Sequence, residues 1–286
     1  MLSRRKFVSR SAAGLVGLAA AGFAVDGFLV EPQRAVAEHI EIGLRRLPEV
    51  FDGFRIAQLS DIHFGPYMTR PELDRAASLA REFRPDLVAL TGDFVSRLWR
   101  QRNGLEGAKN AGPCADAFAN WKGAPVIAVL GNHDHWNDAD LVAGALADRG
   151  IEVLRNGARP MEKDGGRLWI AGVDDVLEGC ADLDRTIADI PQGEATILLA
   201  HEPDYADVAS KAGVDLQLSG HSHGGQVRVP GVGPIVLPQL ARKYHSGVNR
   251  VGNLQVYTTR GIGVINPPVR LNCPPEVTLI TLRKKR

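Results

Sequence analysis

Arg55-Ile-Ala-Gln-Leu-Ser-Asp-Ile-His63 is a short apolar run that stops in an aspartate and a histidine two residues apart. A run of this length without polar alternation reads as a strand covered on both faces. The pattern recurs. Residues 86–91 are followed by Gly92-Asp93, 125–130 by Gly131-Asn132-His133-Asp134, 196–200 by His201, and 215–219 by Gly220-His221-Ser222-His223-Gly224-Gly225. A sixth run, 168–173, ends in Asp174-Asp175, and 36–44 alternates like a first strand. Helical stretches are expected between the strands at 71–83, 138–149 and 203–212. In the first, Leu73, Ala76, Ala77, Ala80 and Phe83 fall at helical spacing, and Pro71 sits in the first turn. After 224 the chain is rich in Gly and Pro, with short strands expected at 226–229, 253–259 and 276–283. Strands alternating with helices predict one α/β domain over 36–286.

In an open α/β sheet, ligands bind beyond the carboxyl ends of the strands. The five strand-end clusters should therefore converge on one edge. Five of the eight histidines lie in them, at 63, 133, 201, 221 and 223. Imidazole with carboxylate and no thiolate suits divalent metals such as Mn, Fe, Zn or Ni. Asp93 carries two oxygens and can bridge two ions, and two ions about 3.5–4 Å apart can clamp a phosphate.

Asp-Ile-His, Gly-Asp-Phe, Gly-Asn-His-Asp, the lone His201 and Gly-His-Ser-His, in that order over about residues 55–225, resemble the five motifs of the calcineurin-like metallophosphoesterases. The wording Ser-Asp-Ile-His-Phe-Gly and Gly-His-Ser-His-Gly-Gly-Gln is similar to the exported bacterial branch with YkuE-like and YaeI-like phosphoesterases. The resemblance implies the metallo-dependent phosphatase fold, a four-layer α/β/β/α sandwich. It implies two divalent ions, with Asp61, His63 and His223 on the first, Asn132, His201 and His221 on the second, and Asp93 between them. It also implies hydrolysis of a phosphomonoester or phosphodiester by a metal-bridging hydroxide, with His133 assisting the leaving group rather than binding metal. The ions stay open among Mn, Fe, Zn, Ni and Mg.

Two other readings stand beside this one. The first is a pyrophosphatase of a nucleotide-linked acylated sugar, a lipid precursor, at the membrane. The second is a non-catalytic metal- or cell-wall-binding protein that keeps the fold; it would be expected to lack a ligand or His133, and none is missing. Lys and Arg number 34 against 33 Asp and Glu, a formal charge of +1, so nucleic acid is not an expected partner. A monomer is expected.

Residues 1–10 carry four positive charges and no negative one, and 11–25 are uncharged and mostly small or apolar. This is the layout of an export signal, and Arg4-Arg5 within Ser-Arg-Arg-Lys-Phe resembles the twin-arginine motif. Residues 1–35 are thus a twin-arginine export signal or a membrane anchor, and the domain is expected in the periplasm or at the cell surface. Ala35-Val36-Ala37 reads as a cleavage site, yet a cut there would trim the expected first strand. Residues 11–30 are just long enough to cross a bilayer, so cleaved and anchored forms both stay open. Arg283-Lys284-Lys285-Arg286 reads as a solvated tail or as a contact with an anionic membrane or wall polymer.

Away from the motifs, His39 and His245 read as structural or exposed, His135 as a rim residue or a substrate contact, and Asp134 as orienting a neighbour. Asp174 and Asp175 read as loop. Arg97, Arg100 and Arg102 form a solvated loop or an anion contact, and Tyr67, Trp99 and Trp136 are candidates to line an acyl or ring pocket. The three cysteines, 114, 180 and 273, are too few for a disulfide framework, though one pair can bridge. Replacing Arg4 and Arg5 together with lysine should strand the protein in the cytoplasm. Cell fractionation checks this, and continued export would refute the twin-arginine reading.

Overall fold

The continuous apolar runs become inner strands because each is covered on both sides. The computed structural model describes residues 14, 17, 21–96 and 105–285. The strands in chain order are β1 (Val36–Leu44), β2 (Arg55–Leu59), β3 (Leu87–Thr91), β4 (Val126–Val129), β5 (Glu152–Val153), β6 (Gly157–Lys163), β7 (Gly166–Gly172), β8 (Ala195–Leu199), β9 (Leu216–Ser219), β10 (Arg228–Val229), β11 (Gly233–Pro234), β12 (Gly247–Val251), β13 (Leu254–Thr258) and β14 (Glu276–Lys284). One six-stranded sheet has the order β1-β14-β2-β3-β4-β5 and the other β12-β13-β9-β8-β7-β6. From β2 to β5, and from β7 through β8 and β9 to β13, the pairings are parallel, so the five motif-bearing ends point one way within each sheet.

The two sheets face each other across Ile56, Ala89 and Ile127 on one side and Ile170, Ile197, Leu216 and Leu218 on the other. On the outer face of the first sheet, Ala57, Val88 and Ala128 pack with Leu73, Ala76, Ala77 and Ala80 of the helix Arg70–Glu82. On the outer face of the second, Leu198 and Val256 pack with Tyr205, Ala206 and Ala209. The result is the four-layer α/β/β/α sandwich. The helix Arg70–Glu82 starts where expected: Thr69 and Glu72 form a capping box, with Pro71 in the first turn.

Other elements depart from expectation. The stretch expected as a helix at 203–212 is a 3₁₀ turn, Pro203–Tyr205, followed by one turn of α-helix, Ala206–Ala209. The helix expected at 138–149 is Ala139–Ala147, preceded by a separate short helix, Asn132–Asn137. Strands β5, β6 and β12 were not expected from the sequence. All three lie at sheet edges, where one side is open and polar residues are tolerated; Pro160 within β6 fits only such an edge.

The chain ahead of β1 is tied to the body. Val36 opens the pairing of β1 with β14, opposite Glu276, and its N–H donates to the Pro275 carbonyl at 2.9 Å. The Gly27 carbonyl accepts from the Arg270 N–H at 2.9 Å, and the Glu31 carboxylate accepts from the N–H groups of Asn272 and Cys273. A cut after Ala37 would remove two paired residues of β1. The twin arginines, Arg4 and Arg5, lie outside the described residues, as do Arg97, Trp99, Arg100 and Arg102. Among the described residues, no helix is long and apolar enough to cross a membrane. Arg283 and Lys284 belong to β14 rather than to a loose tail, and the Arg283 guanidinium pairs with Glu41. The three cysteines are unpaired.

Arg270 organises the Gly/Pro-rich section. Its side chain is fully buried and donates to the carbonyls of Arg260, Gly261, Gly263 and Cys273. That loop in turn reaches the end of β2, where the N–H groups of Ile262 and Gly263 donate to the carbonyls of Ser60 and Asp61. Arg270→Met should leave these buried carbonyls unpaired and lower stability by about 3 kcal/mol or more. A urea titration followed by circular dichroism checks this; an unchanged midpoint would contradict it.

Candidate metal centre

Each motif sits where a buried strand stops and the chain turns sharply. Asp61 and His63 follow β2, Asp93 follows β3, Asn132 and His133 follow β4, His201 follows β8, and His221 and His223 follow β9. Asp61, His63, Asp93, His221 and His223 all have φ between 49° and 65°. This left-handed region is uncommon for residues other than glycine, and such backbone strain concentrates at functional sites. Close approach between strand ends also needs glycine. A Cβ on Gly131 would lie 2.4 Å from Asp93 Oδ1, and one on Gly220 would lie 2.3 Å from Asp61 Oδ2.

These turns aim the side chains at one another. One ligand atom each from Asp61, His63, Asp93 and His223 falls within a group no wider than 4.8 Å, and Asp93, His201 and His221 form a second group of the same width. Asp93 belongs to both. Its Oδ2 lies 3.4 Å from His63 Nε2 and 3.3 Å from His201 Nε2, and His223 Nε2 lies 3.4 Å from Asp61 Oδ1. The Nε2 atoms of His63 and His223 are 3.0 Å apart. Ring nitrogens that close must share either a proton or a cation.

The donor set fits a metal. Among the described residues, His201 Nε2, which faces Asp93 Oδ2 at 3.3 Å, and Asn132 Oδ1 are buried without a hydrogen-bond partner. Buried polar atoms are otherwise almost always paired, so these two, together with the close Nε2 pair of His63 and His223, are donor atoms that a cation would satisfy. Two of the histidines are oriented by carbonyls. A proton on His201 Nδ1 donates to Thr91 O at 2.7 Å, which leaves Nε2 with its lone pair toward Asp93. A proton on His221 Nε2 donates to Gln239 O at 2.8 Å, which frees Nδ1.

The electrostatics agree with this donor set. Burial pushes His63 down to about 3 and His221 down to about 4, and it holds His223 well below the usual histidine value. These rings are neutral, as ligands must be. Burial also pushes the Asp61 carboxyl up to about 6, against the attraction of His201. At His201, burial disfavours the charge, but the Asp93 carboxylate outweighs it and holds the imidazole well above its ordinary value. Asp93 is held well below the carboxylate range despite its burial, chiefly by His201 and His133. His201 and Asp93 would be residues to hold a cation, which would take the place of the proton on His201 Nε2.

Asp134 holds the turns in place. Its two oxygens accept from the N–H groups of Gly131 and Asp93 at 2.9 Å, from Phe94 at 2.8 Å and from Val95 at 3.3 Å. His133 lies outside both clusters. Its N–H donates to Asp93 Oδ1 at 2.8 Å, and its ring packs edge-on against His63 at 4.6 Å and tilted on Trp136 at 4.6 Å. It lines the cavity above the cluster together with Asp93, Asn132, His221, His223 and Trp136. Tyr67 is not among that cavity's lining residues.

His135 turns away from the cluster. Its Nε2 meets Asp174 Oδ1 at 2.7 Å, and Asp174 also accepts from Arg155 at 2.7 Å, so Asp174 anchors both side chains rather than lying in a loose loop. Arg270 and the apolar cavity walls were not singled out in the sequence. Arg270 acts through backbone carbonyls, which leave no spacing signal, and the walls come from loops without a motif. Asp134→Asn should turn an amide NH₂ toward two of these backbone N–H groups and lower stability by about 2 kcal/mol or more. Thermal melting followed by circular dichroism checks this, and an unchanged Tm would remove Asp134 from this role.

Known proteins resemble the chain along most of its length. The Bacillus subtilis (strain 168) metallophosphoesterase YkuE is 32% identical over 290 residues, covering 99% of this chain and 98% of that protein. The Escherichia coli (strain K12) phosphodiesterase YaeI is 32% identical over 287 residues, covering 99% of this chain and all of that protein. The solved structure of Haemophilus influenzae NAD nucleotidase (NadN) overlays 73% of this chain and 45% of its own, with 18% identity and a TM-score of 0.49. Residues 54–225, from the start of β2 to the turn after His223, match the family described as calcineurin-like phosphoesterase. The chain therefore belongs to the calcineurin-like phosphoesterases, a family of metal-dependent phosphoester hydrolases.

Proposed function

We propose that the protein hydrolyses phosphomono- or phosphodiester bonds outside the cytoplasm, using two divalent ions held by seven side chains. The observation that carries this reading is Asp93, which belongs to both ligand groups. Asp61, His63 and His223 would hold one ion, and Asn132, His201 and His221 the other, with the Asp93 carboxylate between. The chemistry supplied by two bound divalent ions is polarisation of the phosphoryl oxygens and activation of water near neutral pH. The protein's own groups do the rest. The buried cluster and the cavity walls limit competing water, and the Thr91 and Gln239 carbonyls keep His201 and His221 in fixed ring orientations. His133 sits at the cavity floor beside Asp93. There its imidazole donates a proton to the departing ester oxygen, the step that Lewis-acid chemistry leaves undone.

The N-terminal charge pattern supports export. The hydrogen bonds that the Gly27 carbonyl accepts from Arg270 and the Glu31 carboxylate from Asn272 and Cys273 support retention of that segment in the mature protein, the anchored alternative. His133→Ala should keep the metal content of the wild type while lowering kcat by about 10²–10⁴-fold. Metal analysis and steady-state kinetics on an aryl phosphodiester check both halves. Loss of metal would make His133 a ligand, and unchanged kcat would remove it from the reaction.

A further inference from the structure

The cavity above the cluster has a volume of about 680 Å³, within the range of small-molecule sites. Its floor is polar and belongs to the candidate metal centre. Its walls are not. One side is built from Val227, Ile235, Val236 and Pro238, in and beside the β10–β11 hairpin, and the other from Ile265, Pro267 and Val269. Among the described residues that line it there is no lysine or arginine. The Gln226 amide faces the cavity but is engaged across it: Oε1 accepts from the Ile265 N–H at 2.7 Å, and Nε2 donates to Pro267 O at 3.2 Å. It ties the two walls together and offers little to a ligand. Trp136, Ser222, Gln239 and Asn266 also line the cavity, all of them uncharged, among walls that are mostly aliphatic.

The mouth continues the same chemistry. Val232, Ile235 and Val236 on the hairpin are 78%, 63% and 72% exposed. Phe23, Phe28 and Leu29 of the N-terminal segment are also exposed. Of the fourteen large exposed apolar side chains among the described residues, nine fall within 23–30 and 229–236. Scattered singly they would need no explanation; gathered on two segments they mark a contact surface. The two segments flank one stretch of chain. Arg270 N–H donates to Gly27 O, and Arg228 N–H donates to Leu271 O, so both segments are tied to residues 270 and 271, next to Val269 of the cavity wall.

We infer that the substrate is an amphiphile: a phosphoester of a long-chain alkyl or acyl compound. Its phosphate sits on the cluster and its chain lies along the apolar walls toward the exposed mouth. This deepens the phosphoesterase reading and rests on it. The reaction consumes one water: a P–O bond forms from the water oxygen, the P–O bond to the leaving alcohol breaks, and one water proton ends on the leaving oxygen. The apolar walls account for the chain, and the exposed apolar side chains of the hairpin extend that surface outward from the cavity.

The test uses the full chain loaded with Mn²⁺ and a series of p-nitrophenyl alkyl phosphodiesters, methyl to octyl, below their micelle-forming concentrations. The leaving group is common, so only the chain varies. The expected result is a kcat/KM for the octyl ester roughly tenfold or more above that for the methyl ester. In the double variant Ile235→Glu with Val236→Glu, the octyl-to-methyl ratio should fall to near one. Both side chains are largely exposed, so the fold should tolerate the change. A flat series with good turnover of the methyl ester would overturn the amphiphile inference and leave the phosphoesterase reading standing. A steep series that survives the double variant would overturn the groove as the place of the chain. No turnover of any ester would overturn the phosphoesterase reading itself.

Discussion

A carboxylate buried among imidazoles is costly unless something charged stands beside it. Asp93 is in that position, with His63 and His201 nitrogens 3.4 and 3.3 Å from one of its oxygens and the His133 N–H on the other. Around it, His63 and His223 bring two ring nitrogens within 3.0 Å of each other. Imidazole nitrogens packed that tightly beside buried carboxylates form a poor protein core and a good cation site. The strained turns at Asp61, His63, Asp93, His221 and His223 have the same logic, since a backbone held in the left-handed region gains nothing for the core and aims a ligand.

The sandwich exists to hold those turns still. The parallel inner strands of each sheet end at one side, and the face-to-face packing of the sheets brings β2, β3 and β4 close to β8 and β9. Single links then fix the register of the strand ends. Asp134 joins the turn after β4 to the one after β3. The Thr91 carbonyl at the end of β3 bonds His201 after β8, and the His221 N–H after β9 donates to Asp61 after β2. Arg270 does similar work from the C-terminal section by gathering the loop that touches Ser60 and Asp61.

The legible parts of this architecture share a physical cause. β2, β3, β4, β8 and β9 are covered on both faces, so their sequences are unbroken apolar runs, and each stops abruptly in residues that have no place in a core. That contrast is what makes their ends readable. β5, β6 and β12 lie at edges with one side open, and their polar composition carries no comparable mark. The turn at 203–209 looked like a longer helix because its alanines are apolar at helical spacing, but they pack against the sheet in only one turn of α-helix. Arg270 was illegible for a different reason: its partners are carbonyls, which every residue has. The apolar cavity walls were hidden because their residues come from loops far apart in sequence, between 227 and 269, with no periodicity to join them.

The sharing of the buried Asp93 carboxylate between two cations, beneath an apolar throat, is the central claim. Its most direct test is a crystal of the full chain soaked in Mn²⁺ and measured for anomalous scattering. Two anomalous peaks per chain are expected, on either side of the Asp93 carboxylate, one beside Asp61, His63 and His223 and the other beside Asn132, His201 and His221. A single peak, or peaks away from Asp93, would contradict it.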